Sequence, residues 1–355
     1  MTKILITGAA GAVGSALLLE LAEEQGIEVL ATDVARPANL PEGIGFEPLD
    51  VRGNDRHEVI GRERPDVVIH LASIVSPTTR AFAHSVDVVG SRNVIAACSL
   101  HGVTRLVVTS SGAAYGYHAD NPVPLVETDA LRGNVEFAYS DHKRQVEEML
   151  AEARKAVPEM QQVVLRVGTV LGAGLENQIT ALFHRPGLLA LRGCESPFVF
   201  IWTRDLARIL KRAAGAGPEG IFNVAGDGAL GVTQLAEALR KPILRLPVWC
   251  LKLALGIAHP LKLSRYGPAQ VRFLQYRPVL DNSALKSEFG YVPELTSAQV
   301  LRFGKRRRGY DGKNGPYHRR RRRAGSGAGC GPAKAGLGNR IDRPAGPGAG
   351  GTCAA

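Results

Sequence analysis

The stretch Thr7-Gly8-Ala9-Ala10-Gly11-Ala12-Val13-Gly14 follows directly on the apolar run that begins at Lys3. This order constrains the fold strongly, because a short buried strand must turn through glycines into a helix. Gly8 permits the turn, Gly11 lets the backbone approach phosphate oxygens, and Gly14 allows tight helix-on-strand packing. The helix that follows points its positive N-terminal end at an anion. Gly8, Ala10, Gly11, Ala12, Val13 and Gly14 are therefore the candidate cradle for a dinucleotide pyrophosphate. In a chain with 41 glycines in 355 residues, such spacing arises by accident about 0.5 times, so its weight comes from what surrounds it.

About twenty residues on, the β-type run Gly26–Thr32 ends in Asp33, where an acidic side chain accepts from adenosine ribose hydroxyls. That favours NAD over NADP. Arg36 lies three residues further and offers the opposite chemistry, a cradle for a 2′-phosphate.

Aliphatic runs alternate with helix-period segments through the first half. Strands are expected at Lys3–Thr7, Glu28–Thr32, Phe46–Leu49, Val67–Leu71, Leu106–Ser110 and Val163–Val167, with helices at Val13–Glu24, Asp55–Arg64, Ser85–Ser99 and Tyr139–Arg154. Right-handed crossovers then give an α/β, doubly wound parallel sheet of Rossmann type, residues 1–171. Residues 172–303 read as a smaller substrate-covering region, with helices at Arg204–Ala214, Thr233–Leu239 and Val248–Ile257, and a late strand, Ile221–Val224, returning to the sheet. The apolar segment Leu244–Leu263 reads as a covering helix of that region, ahead of a membrane-surface or subunit contact.

The net charge of +11 resides in residues 304–355, which hold 13 Lys and Arg against 2 Asp, leaving the first 303 residues balanced. This Arg- and Gly-rich tail is expected to be disordered, and with no aromatic platform beside it nucleic-acid binding is not the expected role. Five cysteines in no paired or ligand spacing suggest buried free thiols and no metal site. No signal-peptide pattern opens the chain and no apolar run is long enough to span a bilayer, so a cytoplasmic protein is expected.

Tyr139 and Lys143 lie four apart on one predicted helix, so both side chains face one pocket. An ammonium beside a phenol stabilises the phenolate and suits the pair to proton transfer. Ser111 ends a serine-rich strand, outside which parallel-sheet ligands sit, and can hydrogen-bond a substrate oxygen.

The order of glycine turn, Asp33, strand-end serine and Tyr-x-x-x-Lys resembles the extended short-chain dehydrogenase/reductase family over roughly Lys3 to Phe303. Its NAD-dependent epimerase/dehydratase branch, UDP-glucose 4-epimerase-like, is the nearest match. The resemblance implies that Asp50 and Val51 contact adenine, that Leu71, Ala72 and Ser73 flank the cofactor, and that Val167 borders the nicotinamide. It further implies Ser111 as substrate-orienting group, Tyr139 as acid/base, Lys143 as ribose ligand, Asn177 as a substrate contact, and a homodimer through the helices at 85–99 and 139–154.

Three departures bear on the substrate. Asp87 stands where the family has an asparagine, and an ionised carboxylate cannot donate. Phe198 and Trp202 stand where nucleotide-sugar enzymes carry an arginine for the diphosphate and a histidine, and the segment around Arg277 is shortened, although Arg277 can still supply a charge. Three functions stay open: an epimerase/dehydratase of a (nucleotide-)sugar, a reductase of a hydrophobic alcohol or ketone, and a catalytically idle NAD-binding scaffold.

Overall fold

Strands buried on both faces need uninterrupted apolar runs, and the central ones have them: Ile4–Ile6, Val67–Ile69 and Val163–Leu165 are all buried. The computed structural model describes residues 1–303 except 77, 173–174, 176–179, 181–184 and 265. The strands are β1 (Thr2–Thr7), β2 (Ile27–Asp33), β3 (Gly45–Pro48), β4 (Val67–His70), β5 (Arg105–Ser111) and β6 (Gln161–Val167). With β10 (Gly220–Val224) they form one parallel seven-stranded sheet in the order β10-β6-β5-β4-β1-β2-β3. The expected late strand thus pairs with β6. The chain leaves β1 in one direction and later resumes on its other side at β4, creating the crevice in which doubly wound folds bind ligands.

Helices cover both faces. On one, Leu17, Leu18 and Leu21 of α1 (Ala12–Leu21) pack with Leu206, Ile209 and Leu210 of α6 (Thr203–Ala214). On the other lie Val59 and Ile60 of α2 (Asp55–Glu63), Val94 and Cys98 of α4 (Ser91–Leu100), and Val146 and Leu150 of α5 (Ala138–Ala156). Each such side chain stabilises the fold by roughly 1.5–3 kcal/mol relative to exposure.

The helix expected at 85–99 differs in form. A short α3 (Arg80–His84) precedes it, residues Ser85–Gly90 form a π turn, and α4 begins only at Ser91. The extra residue per π turn lets Asp87 face inward, where it is buried.

After the large sheet's sixth strand come two two-stranded sheets, in which β8 (Leu188–Leu191) pairs with β11 (Ile243–Leu246) and β7 (Thr169–Leu171) with β9 (Phe200–Trp202). A separate core joins Phe198 and Phe200 to Leu235 and Leu239 of α7 (Val232–Leu239). Two expectations are corrected. The helix α8 (Val248–Ala258) is not sealed into the core, since no described residue from Val248 to Tyr266 is buried. Of the described thiols only Cys98 is buried, while Cys194 and Cys250 are partly exposed. No helix among the described residues is long and apolar enough to cross a membrane, and no metal-ligand cluster occurs among them. Asn177 and the basic tail lie outside the described residues.

Candidate active site

Parallel pairing brings five strand ends to one sheet edge: Thr7, Asp33, His70, Ser111 and Val167. Gly8 has φ +74°, and a Cβ there would lie 2.5 Å from the Ala72 nitrogen; a Cβ on Gly14 would lie 2.5 Å from the Gly8 carbonyl oxygen. Any side chain would therefore prise the turn from its neighbours. Gly11 caps α1 without a side chain, so the first-turn amides of Ala12 and Val13 remain open to an anion.

Asp33 closes the far side of this turn by accepting from Ala10 N (2.9 Å) and its neighbour Val34 N (2.7 Å). Each carboxylate oxygen keeps a lone pair for a ribose hydroxyl, and its charge opposes a 2′-phosphate. Arg36 is exposed, its guanidinium 5.5 Å from the Phe46 ring. Asp50 is gripped by Arg52 through Nε and Nη2, which holds its carboxyl below the ordinary range, while the buried Val51 carbonyl accepts from Asn93. Leu71 N donates to Thr7 O at 3.0 Å, seating the segment Leu71–Ser73 against the glycine turn. These residues fit a dinucleotide.

Behind the cradle, His70 is buried between Thr7 Oγ1 (2.7 Å to Nδ1) and Ser91 Oγ (2.9 Å to Nε2). Ser91 donates to the Asp87 carbonyl, so it accepts from His70 Nε2–H and leaves Nδ1 to accept from Thr7. Burial first, then the Lys143 charge, brings this imidazole down to about 3, and it stays neutral.

Asp87 accepts from Ser73 Oγ (2.9 Å), Ile74 N (2.8 Å) and His142 Nδ1 (3.1 Å), tying the cofactor-flanking segment to α5. Burial alone would raise its carboxyl, but the bond from His142, the Lys143 charge and the other donors together lower it. Its contribution to stability is then fully present above the ordinary carboxylate value and lost as pH falls through the depressed folded value. Asp87→Asn is expected to destabilise by about 1–3 kcal/mol near neutrality. That difference should shrink below about pH 4 in urea unfolding followed against pH.

On α5, Tyr139 and Lys143 share a face, the ammonium 5.7 Å from the phenol ring centre. Lys143 Nζ donates to Thr109 O (2.9 Å) and to no other described group, so two N–H bonds remain for a ligand. The Tyr139 hydroxyl bonds no described residue. Ser111 Oγ accepts from Ala113 N (3.2 Å) and donates to Val167 O at 3.4 Å, a long bond that a substrate oxygen can replace.

The substrate side holds what the sequence did not reveal. Phe137, just before α5, packs edge-on against Tyr117 (5.0 Å), and Tyr117 against Phe273 (5.2 Å). Beyond Phe273 lies Arg277, whose guanidinium is stacked 3.8 Å from the Phe198 ring centre. The cation missing at 198 in the sequence is thus delivered to that place from another segment. Arg277 Nη1 donates to Ser196 O and Oγ, while Nε is shielded from solvent with no partner. Burial brings this guanidinium down to about 9, and no carboxylate pairs with it among the described residues. Trp202 packs on Phe303 at 5.4 Å, and Phe198 stacks on Phe200. His118 is half-buried and its Nε2 bonds Gly133 O at 2.8 Å.

An uncharacterised protein of Mycobacterium tuberculosis is 26% identical over 313 residues, spanning 84% of this chain and 82% of its own. A 2-alkyl-3-oxoalkanoate reductase of Stenotrophomonas maltophilia is 28% identical, spanning 84% and 97%. Among solved folds, UDP-glucose 4-epimerase of Thermotoga maritima superposes with TM-score 0.69 at 21% identity, over 87% of this chain and 99% of that one. The model of the NAD dependent epimerase/dehydratase family matches residues 4–225, from the first strand of the glycine turn to the end of the late strand, and the chain belongs to that family.

Proposed function

We propose that the chain is an NAD-dependent epimerase or dehydratase of a nucleotide sugar, working on a hydroxyl-bearing carbon of a substrate with an anionic tail. The observation that carries this reading is the Arg277 guanidinium, which meets no carboxylate among the described residues and whose Nε has no protein partner, a fork suited to capture of a phosphate or carboxylate. Bound NAD supplies reversible hydride transfer. Tyr139 holds and moves the proton of the reacting hydroxyl, Lys143 binds the nicotinamide ribose and favours the phenolate, and Ser111 orients the substrate oxygen. Asp33 supports NAD over NADP.

Arg277→Gln is expected to raise KM about 10- to 100-fold, the loss of about 1.5–3 kcal/mol for a charge-assisted bond, with kcat changed little. Equal KM values for wild type and variant would refute the clamp.

A second reading rests on the 28%-identical reductase, which by its name acts on 2-alkyl-3-oxoalkanoates. One guanidinium matches one carboxylate, and the wall of Tyr117, Phe137 and Phe273 suits an alkyl chain. Absorbance at the reduced-nicotinamide band separates the two. Turnover of nucleotide sugars with no net NADH and retained cofactor supports the epimerase; stoichiometric NADH consumption with a 3-oxo acid supports the reductase.

A further inference from the structure

We infer that α8 and the turn after it form a docking face for an anionic lipid surface. Trp249, Leu253 and Ile257 follow one another at four-residue spacing on one side of α8 and are 67%, 58% and 56% exposed. Leu261 and Leu263 extend the apolar surface past the helix end, and Leu244 precedes it. Contiguous exposed apolar surface of this kind marks an interaction site.

Charge identifies the occupant. From Arg240 to Leu280 the chain carries eight lysines and arginines and not one aspartate or glutamate. The Arg277 guanidinium is buried in the site and Arg245 and Arg272 meet Glu195 and Glu136, so the cations this face offers are lysines of α8 and the turn after it. Lys252 lies within the apolar helix and Lys262 just beyond it; both are exposed, and neither meets a carboxylate among the described residues. A second copy of the chain would set this cationic surface against a like-charged one if the faces met symmetrically. An anionic bilayer satisfies both properties at once: the apolar side chains enter the headgroup boundary, the tryptophan sits at its level, and the ammonium groups meet lipid phosphates.

The face is also continuous with the site. α8 packs on the turn Pro268–Gln270 and on α9 (Val271–Gln275), which carries Phe273 of the aromatic wall. Docking would therefore hold that wall beside the lipid surface.

The test is vesicle co-sedimentation of the full chain with phosphatidylcholine vesicles, alone or with about 30 mol% phosphatidylglycerol. Wild type is compared with the double variant Leu253→Glu/Ile257→Glu. Both positions are exposed, so an unchanged circular dichroism spectrum is expected. Binding to the anionic vesicles should fall about tenfold in the variant and about tenfold on omitting phosphatidylglycerol, and brominated lipid should quench Trp249. Equal binding by both proteins would assign the attraction to the basic residues after 303 and overturn the proposal. So would absence of wild-type binding, including the case in which light scattering finds a dimer that the variant abolishes.

Discussion

Tyr139→Phe is expected to lower kcat about 10²- to 10⁴-fold while leaving NAD affinity within about twofold. The substitution removes one hydroxyl, which bonds no described protein group, so it strips the proposed proton carrier without disturbing packing. The ring remains beside the Lys143 ammonium, and Lys143 keeps its bond to Thr109 O. Steady-state kinetics with the preferred substrate, alongside calorimetric titration of NAD, checks both halves. An unchanged kcat would remove Tyr139 from the proton transfer, whereas no turnover of any alcohol or sugar by the wild type would return the chain to the scaffold reading, in which the pocket binds cofactor and transforms nothing. Loss of NAD binding would instead show that the phenol holds the cofactor.

Glu147→Ala is expected to destabilise the fold by about 3–5 kcal/mol, read as a lowered urea midpoint. Glu147 of α5 and Arg166 of β6 are both buried and joined through Nε and Nη2 at 2.8–2.9 Å. Ser110 donates to the same carboxylate, and Arg166 Nη1 donates to Tyr115 Oη at 2.7 Å. Tyr115 passes the chain of bonds to Asn223 Oδ1 on β10. Removing the carboxylate strands a guanidinium and a hydroxyl away from water. Glu147→Leu combined with Arg166→Met removes both charges and should recover much of the loss. If the single variant unfolds at the wild-type midpoint, the network contributes nothing to stability.

This network also lies directly beneath the site. Ser110 and Arg166 immediately precede Ser111 and Val167, two of the residues assigned to substrate and cofactor. The same bonds that stabilise the sheet therefore hold its reactive edge in register.

What the amino-acid order determined on its own was everything local or periodic. The glycine turn, the acidic end of β2, the buried runs of the sheet and the one-face pairing of Tyr139 with Lys143 follow from residue spacing, because strand and helix geometry repeat over a few residues. The late strand at Gly220–Val224 was legible for the same reason. Tertiary structure alone decided what depends on residues far apart in the chain. Asp87 reads from sequence as a lost donor, yet folding sets it between Ser73 and His142, 14 and 55 residues away, and makes it a clip between the cofactor segment and α5. Phe198 reads from sequence as a lost cation that Arg277 can supply, and only folding sets that guanidinium against the Phe198 ring. The segment Leu244–Leu263 reads as a covering helix, and only the tertiary structure shows that no residue of Val248–Ala258 is buried. Hydrophobicity and charge state what a segment favours; which partner meets it is set by chain crossings that no local period encodes.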